Sequence, residues 1–435
     1  MVTVIGAGLA GCEAALYLAR HGVPVTLLEQ KPLHRSPAHH GDGFAELVCS
    51  NSLKALRKGS SSGLLKMEME LLGSETVRAA KQCAVPAGGA LAVDRERFSE
   101  LLTERIKAEP LITVRAQQAD SLPEGMVIIA TGPLTDGRFV PVIERLCGGR
   151  LSFFDAAAPI VRRDSIDFSR AFFGARYGRG TADYINCPMD EAEYSAFYDA
   201  LVSAEAVELK DFEKDGFRVY EGCMPVEIMA KRGKQTLLYG PLRPVGITDP
   251  ATGRRPFAVV QLRAENREGT LFNLVGFQTN LKFPEQKRVF SMIPALHGAA
   301  FVRYGVMHRN TFIDSPRVLN PDLSLKSDGR VFFAGQITGV EGYMESAACG
   351  IAAAVQCLRK IKGLSPFVFP ADTMFGGLMG HIANDATGDF QPMGSNMGLL
   401  PPLETRIKGK QERYELLADR ALASLSAALE KEDVK

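Results

Sequence analysis

The stretch whose reading decides the fold is Val2-Thr-Val-Ile-Gly-Ala-Gly-Leu-Ala-Gly-Cys12, continued as far as Glu29. Val2, Val4 and Ile5 form a short apolar run, which predicts a buried strand. The run stops at Gly6, and Gly6, Gly8 and Gly11 stand in G-x-G-x-x-G register. Leu9 to Arg20 then reads as a mostly apolar helix, and Val23 to Leu28 as a second strand that ends in Glu29. Gly6 allows the tight turn, Gly8 lets backbone approach a pyrophosphate, and Gly11 lets the helix close onto the strand. With Ala7, Leu9 and Ala10 the turn opens a helix N-terminus, whose N–H groups and dipole face the phosphates. Glu29, 18 residues beyond Gly11, is placed for ribose hydroxyls. Strand, turn, helix and acid in that order predict a dinucleotide site. They argue against a glycine-rich turn of no special function, but they do not separate FAD from NAD.

Two stretches far along the chain tilt the choice toward FAD. Residues 126–130 form a buried strand running into Ala130-Thr-Gly-Pro133, so Thr131 and Gly132 are expected to touch the cofactor. Arg330-Val-Phe-Phe-Ala-Gly-Gln-Ile-Thr-Gly339 is a strand and glycine turn, followed by a helix rich in small residues through Ala354. In flavoproteins of the glutathione-reductase type, such a late turn brings backbone and an acid to the ribityl chain and pyrophosphate. Here Gln336 stands in the place of that acid, between Gly335 and Gly339. The small residues Ala347, Ala348, Gly350 and Ala352 to Ala354 are expected to let the helix sit close to the cofactor. The predicted fold class is α/β: a Rossmann-type, glutathione-reductase-like FAD domain with an inserted α+β domain.

Length and composition bound the rest. With 435 residues, two domains are the natural expectation. An apolar fraction of 46% and a charged fraction of 23% are those of a globular protein. The formal net charge of +1 announces no nucleic acid, so an RNA partner has to be read from local patches. A strand that opens at residue 2 predicts no cleaved leader, and no apolar run approaches a membrane span. Cysteines 12, 49, 83, 147, 187, 223, 349 and 357 are scattered without a C-x-x-C. That spacing argues against a metal site or disulfide scaffold and for free thiols in the cytoplasm.

The predicted division is 1–150 with 325–364 as the FAD domain, 151–324 as an inserted substrate domain, and 365–435 as a C-terminal loop and helix. In the first part, a polar loop holds His34 and the pair His39-His40, and no third ligand lies near that pair to argue for a metal. Glu46-Leu-Val-Cys-Ser-Asn-Ser-Leu-Lys54 follows. Ser50, Asn51 and Ser52 are capping types, which predicts a helix N-terminus just after Cys49 and hence a favoured thiolate. A buried structural cysteine is the equal alternative. The insert carries basic clusters (Arg162-Arg163, Lys231-Arg232-Gly-Lys234, Arg254-Arg255) and Tyr220-Glu-Gly-Cys-Met-Pro-Val-Glu227. Glu221 and Glu227 would raise the pKa of Cys223, so local sequence favours a structural role for it. In the tail, Tyr414, Leu417, Ala421, Leu425 and Ala428 make one helical stripe.

With these residues in hand the sequence resembles the TrmFO family, folate- and FAD-dependent tRNA uracil-5-methyltransferases related to the MnmG tRNA-modifying flavoproteins. The resemblance rests on Val-Ile-Gly-Ala-Gly-Leu-Ala-Gly (4–11), Leu-Val-Cys-Ser-Asn-Ser-Leu (47–53), Tyr-Glu-Gly-Cys-Met-Pro-Val-Glu (220–227) and Gly-Pro-Leu-Arg-Pro-Val-Gly (240–246). Asn-Leu-Val-Gly-Phe-Gln-Thr-Asn-Leu (273–281), Arg-Tyr-Gly-Val-Met-His-Arg-Asn-Thr-Phe-Ile (303–313) and Phe-Ala-Gly-Gln-Ile-Thr-Gly-Val-Glu-Gly-Tyr (333–343) extend it over almost the whole chain. The glutamine at 336 is shared by TrmFO- and MnmG-like sequences.

The resemblance implies a one-carbon unit from 5,10-methylenetetrahydrofolate, electrons from reduced FAD, NAD(P)H as the flavin's reductant, and the T-loop uridine 54 of tRNA as target. Uracil C5 is a poor nucleophile until a thiolate adds to C6. The two family cysteines map onto Cys223, as the C6 nucleophile, and Cys49, near the flavin in methylene transfer or in protecting an intermediate; these roles can be exchanged. Tyr343 is assigned to stacking on the pterin and Arg309 to the glutamate carboxylate of folate. Glu341, Glu345, Tyr343 and water are the candidate bases for the C5 proton. The tRNA T-arm would be held by basic groups of the insert and its target flipped out. No metal, no membrane, no obligate protein partner and a monomer are expected. The competing readings are an MnmG-like modification of the wobble uridine, a generic flavin oxidoreductase, and a tRNA-binding protein that uses FAD structurally.

Overall fold

Val2–Ile5 pairs in parallel with Val25–Glu29 on one side, Val2 opposite Val25, and with Met126–Ile129 on the other, Val2 opposite Met126. Ile112–Ala116 extends the sheet beyond Val25–Glu29, and Val331–Phe333 extends it beyond Met126–Ile129. The result is a five-stranded parallel sheet in which the late strand sits beside the strand leading to Ala130. The computed structural model describes residues 1–36, 38–135, 137–149, 151–178, 181–207, 224–383, 390–432 and 434. All four residues of Val2–Ile5 and all five of Val25–Glu29 are buried, as a parallel sheet covered on both faces requires.

The helix Leu9–Arg20 follows the glycine turn and is buried from Leu9 to Ala19. It packs along the helix Tyr343–Ile361. Gly350 makes this contact possible, because a Cβ there would stand 2.3 Å from the Ala10 carbonyl oxygen. The small-residue run of the second helix was expected to approach the cofactor. It is instead pressed against the first helix, and Ala347, Ala348, Ala352, Ala353 and Ala354 are fully buried in the core.

The chain crosses to the second body at Leu151–Ala156 and returns at Met307–Phe312, two antiparallel strands that form the connecting ribbon. Between them lies a six-stranded antiparallel sheet in the order Phe172–Gly174, Tyr184–Met189, Ala258–Ala264, Leu271–Leu274, Ile160–Arg162, Phe301–Arg303. Phe197 and Leu201 of the helix Glu191–Ser203, Val226 and Ala230 of Val226–Lys231, and Val289 and Phe290 of Phe283–Phe290 pack into its core. Asp190 and Glu193 form a reciprocal capping box at the first of these helices. Ile313, Leu319, Leu323 and Leu325, on the return path, belong to the core of the parallel-sheet body.

The tail closes over that body. Glu68 is buried and its two carboxylate oxygens accept the N–H groups of Met374 and Phe375, at 2.8 and 2.9 Å, at the start of the helix Met374–Ala383. The last helix, Lys410–Lys431, buries Leu417, Ala418, Ala421, Leu425 and Leu429. Among the described residues no helix is long and apolar enough to cross a membrane.

Candidate active site

The three glycine-containing strips meet at one open cleft with a cavity volume of about 170 Å³. Its walls are the turn Gly6–Ala10, Glu29–Lys31, Gln117–Ala119, Ala130–Thr135, Gly335–Gln336, Tyr343 and Ser346. The fingerprint glycines divide into two kinds. Gly6, at φ +101°, and Gly11 are there for close approach: a Cβ on Gly6 would be 2.6 Å from the Ala130 oxygen, and one on Gly11 would be 1.8 Å from the Gly6 oxygen. A Cβ on Gly8 meets nothing within 4 Å, so Gly8 leaves a cradle that a side chain would fill. The Cys12 N–H is donated to the Gly8 oxygen at 2.9 Å, which leaves the N–H groups of Leu9, Ala10 and Gly11 without a partner one turn back in the helix. Gly8 offers no side-chain cap. An anion such as a pyrophosphate fits that N-terminus. The side-chain nitrogen of Gln118 is buried in the same cleft without a partner among the described residues, as expected of a group awaiting a ligand. Gly339, at φ +91°, is not among the residues lining the cleft, and a Cβ there would run into the Phe390 ring.

Glu29 lies where the fingerprint requires, with a further task. Its Oε2 accepts the Ala7 N–H at 2.7 Å and its Oε1 accepts the Lys31 N–H at 2.9 Å, so it braces the turn from the end of the second strand. Each carboxylate oxygen keeps a further lone pair for a ribose hydroxyl. His39 borders the cleft and shares a 2.7 Å hydrogen bond with the Ser36 hydroxyl. Burial, then the nearby Lys31 charge, pushes its imidazole below its ordinary pKa. Among the described residues no group of three metal-ligating side chains forms. Gln336, in the position usual for an acid, borders the cleft and donates its side-chain amide to the buried carboxylate of Glu341 at 2.6 Å.

The surroundings of Cys49 differ from the sequence expectation. No helix starts there: Ser52–Ala55 is a strand, and the next helix, Ser61–Leu71, is capped by Ser60. The capping-type side chains have other partners. Asn51 donates to the carbonyls of Val93 and Ala264, and the Ser50 hydroxyl accepts the Ser52 N–H. Guanidinium groups take the place of a helix dipole. Arg95 donates to the Leu47 carbonyl at 3.0 Å, Arg303 to the Val48 carbonyl at 2.8 Å, and Arg263 to Ser50 Oγ and Asn51 Oδ1 at 2.9 and 3.0 Å. Two of the three come from the inserted sheet, so the Cys49 loop lies at the seam of the two bodies. Burial works against the charge on Arg95, but Glu265, 2.6 Å away, outweighs it and raises the guanidinium above its ordinary value. Burial lowers Arg263 and Arg303.

From the other side the loop is held by the start of the helix Tyr343–Ile361. The Tyr343 hydroxyl lies 3.0 Å from Cys49 Sγ and accepts the Cys49 N–H at 2.8 Å. Lys54 pairs at 2.9 Å with Glu345, which is buried and also accepts from the N–H and hydroxyl of Ser395. Burial opposes the Glu345 charge, yet Lys54 holds the carboxyl below the usual range. Cys49 does not itself line the cleft, but Val48 and Tyr343 do. Sequence reasoning missed Arg95, Arg263, Arg303 and Glu265. One signal was present: Arg263 lies in the mainly apolar strand Ala258–Ala264 and Glu265 just beyond its end, and both are buried.

Cys223 and Glu221 lie outside the described residues, as does the side chain of Arg309, whose backbone is in the strand Met307–Phe312. Glu227 was expected to disfavour a Cys223 thiolate. Its own carboxylate accepts from Thr279 Oγ1 and the Asn280 N–H, both at 2.8 Å, and burial raises its pKa.

Parallel sheet, glycine turn and convergent strips define a Rossmann-type dinucleotide-binding protein with an inserted domain. A family model described as Glucose inhibited division protein A matches residues 1–365. The solved structure of Aquifex aeolicus GidA aligns at a TM-score of 0.71 and 15% identity, covering 100% of this chain and 73% of that one, a likeness of fold. A Heliobacterium modesticaldum protein named methylenetetrahydrofolate–tRNA-(uracil-5-)-methyltransferase TrmFO is 57% identical over 98% of this chain and 97% of its own length. Proteins of the same name from Listeria monocytogenes and Desulforamulus reducens are 54% and 55% identical, over 99% and 100% of this chain and 99% and 98% of theirs. The chain belongs to the TrmFO branch of the GidA family.

Proposed function

We propose that this protein transfers a one-carbon unit from 5,10-methylenetetrahydrofolate to C5 of the T-loop uridine of tRNA, giving 5-methyluridine. NAD(P)H supplies the reducing equivalents. FAD, when bound along Gly6–Ala10, Glu29, Thr131–Gly132 and Gly335–Gln336, supplies the hydride that turns the transferred methylene into methyl. The observation that carries the reading is the Cys49 loop, held on either side of the cysteine by three arginines, with its thiol 3.0 Å from the hydroxyl of Tyr343, a residue that lines a dinucleotide cleft. Thiols inert in function are normally buried in apolar surroundings. Cys12, Cys187, Cys349 and Cys357 are of that kind, all fully buried. Full-length likeness to proteins named for this reaction supports the same conclusion.

In this scheme the Cys223 thiolate adds to C6 of the flipped uracil and makes C5 nucleophilic; once C5 has taken the methylene from folate, releasing tetrahydrofolate, loss of the C5 proton expels the thiolate from C6. Cys49 acts at the cleft edge in methylene transfer. Tyr343, which lines the cleft, offers its ring to the pterin, and Arg309 offers a partner for the folate carboxylate. Glu341, tied to the cleft through Gln336, is the acid assigned to the C5 proton, since Gln336 lines the cleft and neither Lys54 nor Ser395, the partners of Glu345, does. The basic groups of the insert, Lys231 and Lys234 among them, hold the RNA backbone.

A flavin-band experiment tests the coupling. Anaerobic NAD(P)H bleaches the bound flavin, and the oxidised band returns only when methylenetetrahydrofolate and unmodified tRNA are both added. Recovery with folate alone or with an unrelated small acceptor would make this an ordinary flavin oxidoreductase.

A further inference from the structure

The Tyr343 hydroxyl is saturated on its acceptor side. It takes the Cys49 N–H at 2.8 Å and the Ser50 N–H at 3.3 Å. A phenol oxygen accepts through its lone pairs and has one proton to donate. The bond still open to it is therefore the one it donates, and Cys49 Sγ lies 3.0 Å away. We infer that Tyr343 is a positioning residue that donates its hydroxyl proton to Cys49 and so holds this sulfur as a hydrogen-bond acceptor, the form suited to a thiolate. The inference deepens the methyl-transfer reading and rests on it only for the use made of Cys49.

The remaining geometry keeps the sulfur there. Arg95 and Arg303 fix the carbonyls of Leu47 and Val48, the two residues before the cysteine. Arg263 fixes Ser50 and Asn51, the two after it. At the other end, Lys54 and Glu345 tie the same loop to the first turn of the Tyr343 helix. Moving the Cys49 backbone away from the hydroxyl would strain these sets on both sides of it at once. Arg95, from the parallel-sheet body, interacts electrostatically with Cys49, and Arg303, from the inserted sheet, reaches the carbonyl of the residue before it. The nearby acid, Glu265, is paired with Arg95. Burial, followed by the influence of Cys49, raises Tyr343 well above the ordinary phenol value, so it remains protonated, and a donor, wherever a thiolate exists.

The test is the pH dependence of iodoacetamide alkylation at Cys49, read on the peptide containing residue 49 by mass spectrometry so that Cys223 does not interfere. The flavin-loaded protein is compared with its Tyr343→Phe variant, which keeps the ring and loses the proton. A hydrogen bond to a charged group is lost, so the midpoint should rise by about one pH unit or more. The limiting rate at high pH should be unchanged. An unchanged midpoint in a variant that keeps its flavin and melting temperature overturns the inference. If Tyr343→Phe fails to fold, the wild-type protein decides: Cys49 must reach half its limiting rate at a lower pH than free cysteine, and a midpoint at or above free cysteine overturns it. Neither folate nor tRNA is present, so failure here is distinct from failure of methyl transfer.

Discussion

Replacing Gly8 with valine should abolish flavin retention while leaving the polypeptide folded. The backbone at Gly8 has φ −73° and ψ −173°, an extended conformation open to any L-residue. A Cβ placed there meets no atom within 4 Å, so the variant adds no clash to the protein itself. Its direct cost is that of a poorer N-cap, about 1 kcal/mol at most. The two methyl groups, however, occupy the space over the helix N-terminus that a pyrophosphate must enter to reach the N–H groups of Leu9 and Ala10. Exclusion from that site should weaken flavin binding at least 100-fold, or about 2.7 kcal/mol. Gly11→Ala is the counterpart. Its Cβ would stand 1.8 Å from the Gly6 oxygen, in rigid backbone, so it should lose roughly 1–3 kcal/mol of stability whether or not flavin is present. The assay is flavin stoichiometry after gel filtration, with melting temperatures of the flavin-free proteins. A yellow, flavin-replete Gly8→Val protein, or one whose flavin-free form melts as poorly as Gly11→Ala, would refute the division of the glycines.

Three further perturbations follow from the same structure. Cys223→Ala should eliminate methylation and keep bound flavin; retained turnover would remove Cys223 from the nucleophile role. Neutralising Lys231, Arg232 and Lys234 together should weaken tRNA binding and flatten its dependence on salt, because fewer counterions are released; unchanged affinity would move the RNA surface elsewhere. Lys66 is 2% exposed and donates to the carbonyls of Ala55 and Ser62 at 3.0 Å, and burial lowers its ammonium from the ordinary 10.5 to about 8. Its charging therefore penalises the fold by roughly 3 kcal/mol below pH 8, and the penalty fades as pH rises from 8 toward 10.5, where the unfolded chain also loses the proton. Relative to Lys66→Met, wild type should gain stability across that interval in denaturant titrations, and a constant difference would show that burial does not lower the Lys66 pKa in the fold.

The parallel-sheet body was legible because its signals are local. Strand, Gly6-x-Gly8-x-x-Gly11, helix and Glu29 lie within one βαβ unit, where periodicity and turn chemistry suffice. The Ala130-Thr-Gly strip and the Gly335–Gln336 turn could be recognised for the same reason, and both border the cleft. The site around Cys49 was not legible in this way. Ser50, Asn51 and Ser52 are as suited to side-chain-bonded loops as to helix caps. The choice between these is made by Val93, Ala264 and Arg263, which the fold brings from other strands. Tyr343 reaches Cys49 across 294 residues of chain, a contact no local pattern carries. The alanine-rich run at 347–354 misled for a related reason. Small residues announce a close approach, but not whether the neighbour is a cofactor or, as at Gly350 and Ala10, another helix.

The central claim is that folate carbon reaches a tRNA uracil through this protein. The measurement that tests it most directly supplies methylenetetrahydrofolate labelled in its methylene carbon, with NADPH and an unmodified tRNA transcript, beside a parallel reaction with methyl-labelled S-adenosylmethionine. Label from folate in 5-methyluridine, mapped by nuclease digestion to the T-loop and absent from the second reaction, is the predicted result. Label drawn from S-adenosylmethionine, label at the wobble uridine, or no label in the RNA from either donor would contradict the account.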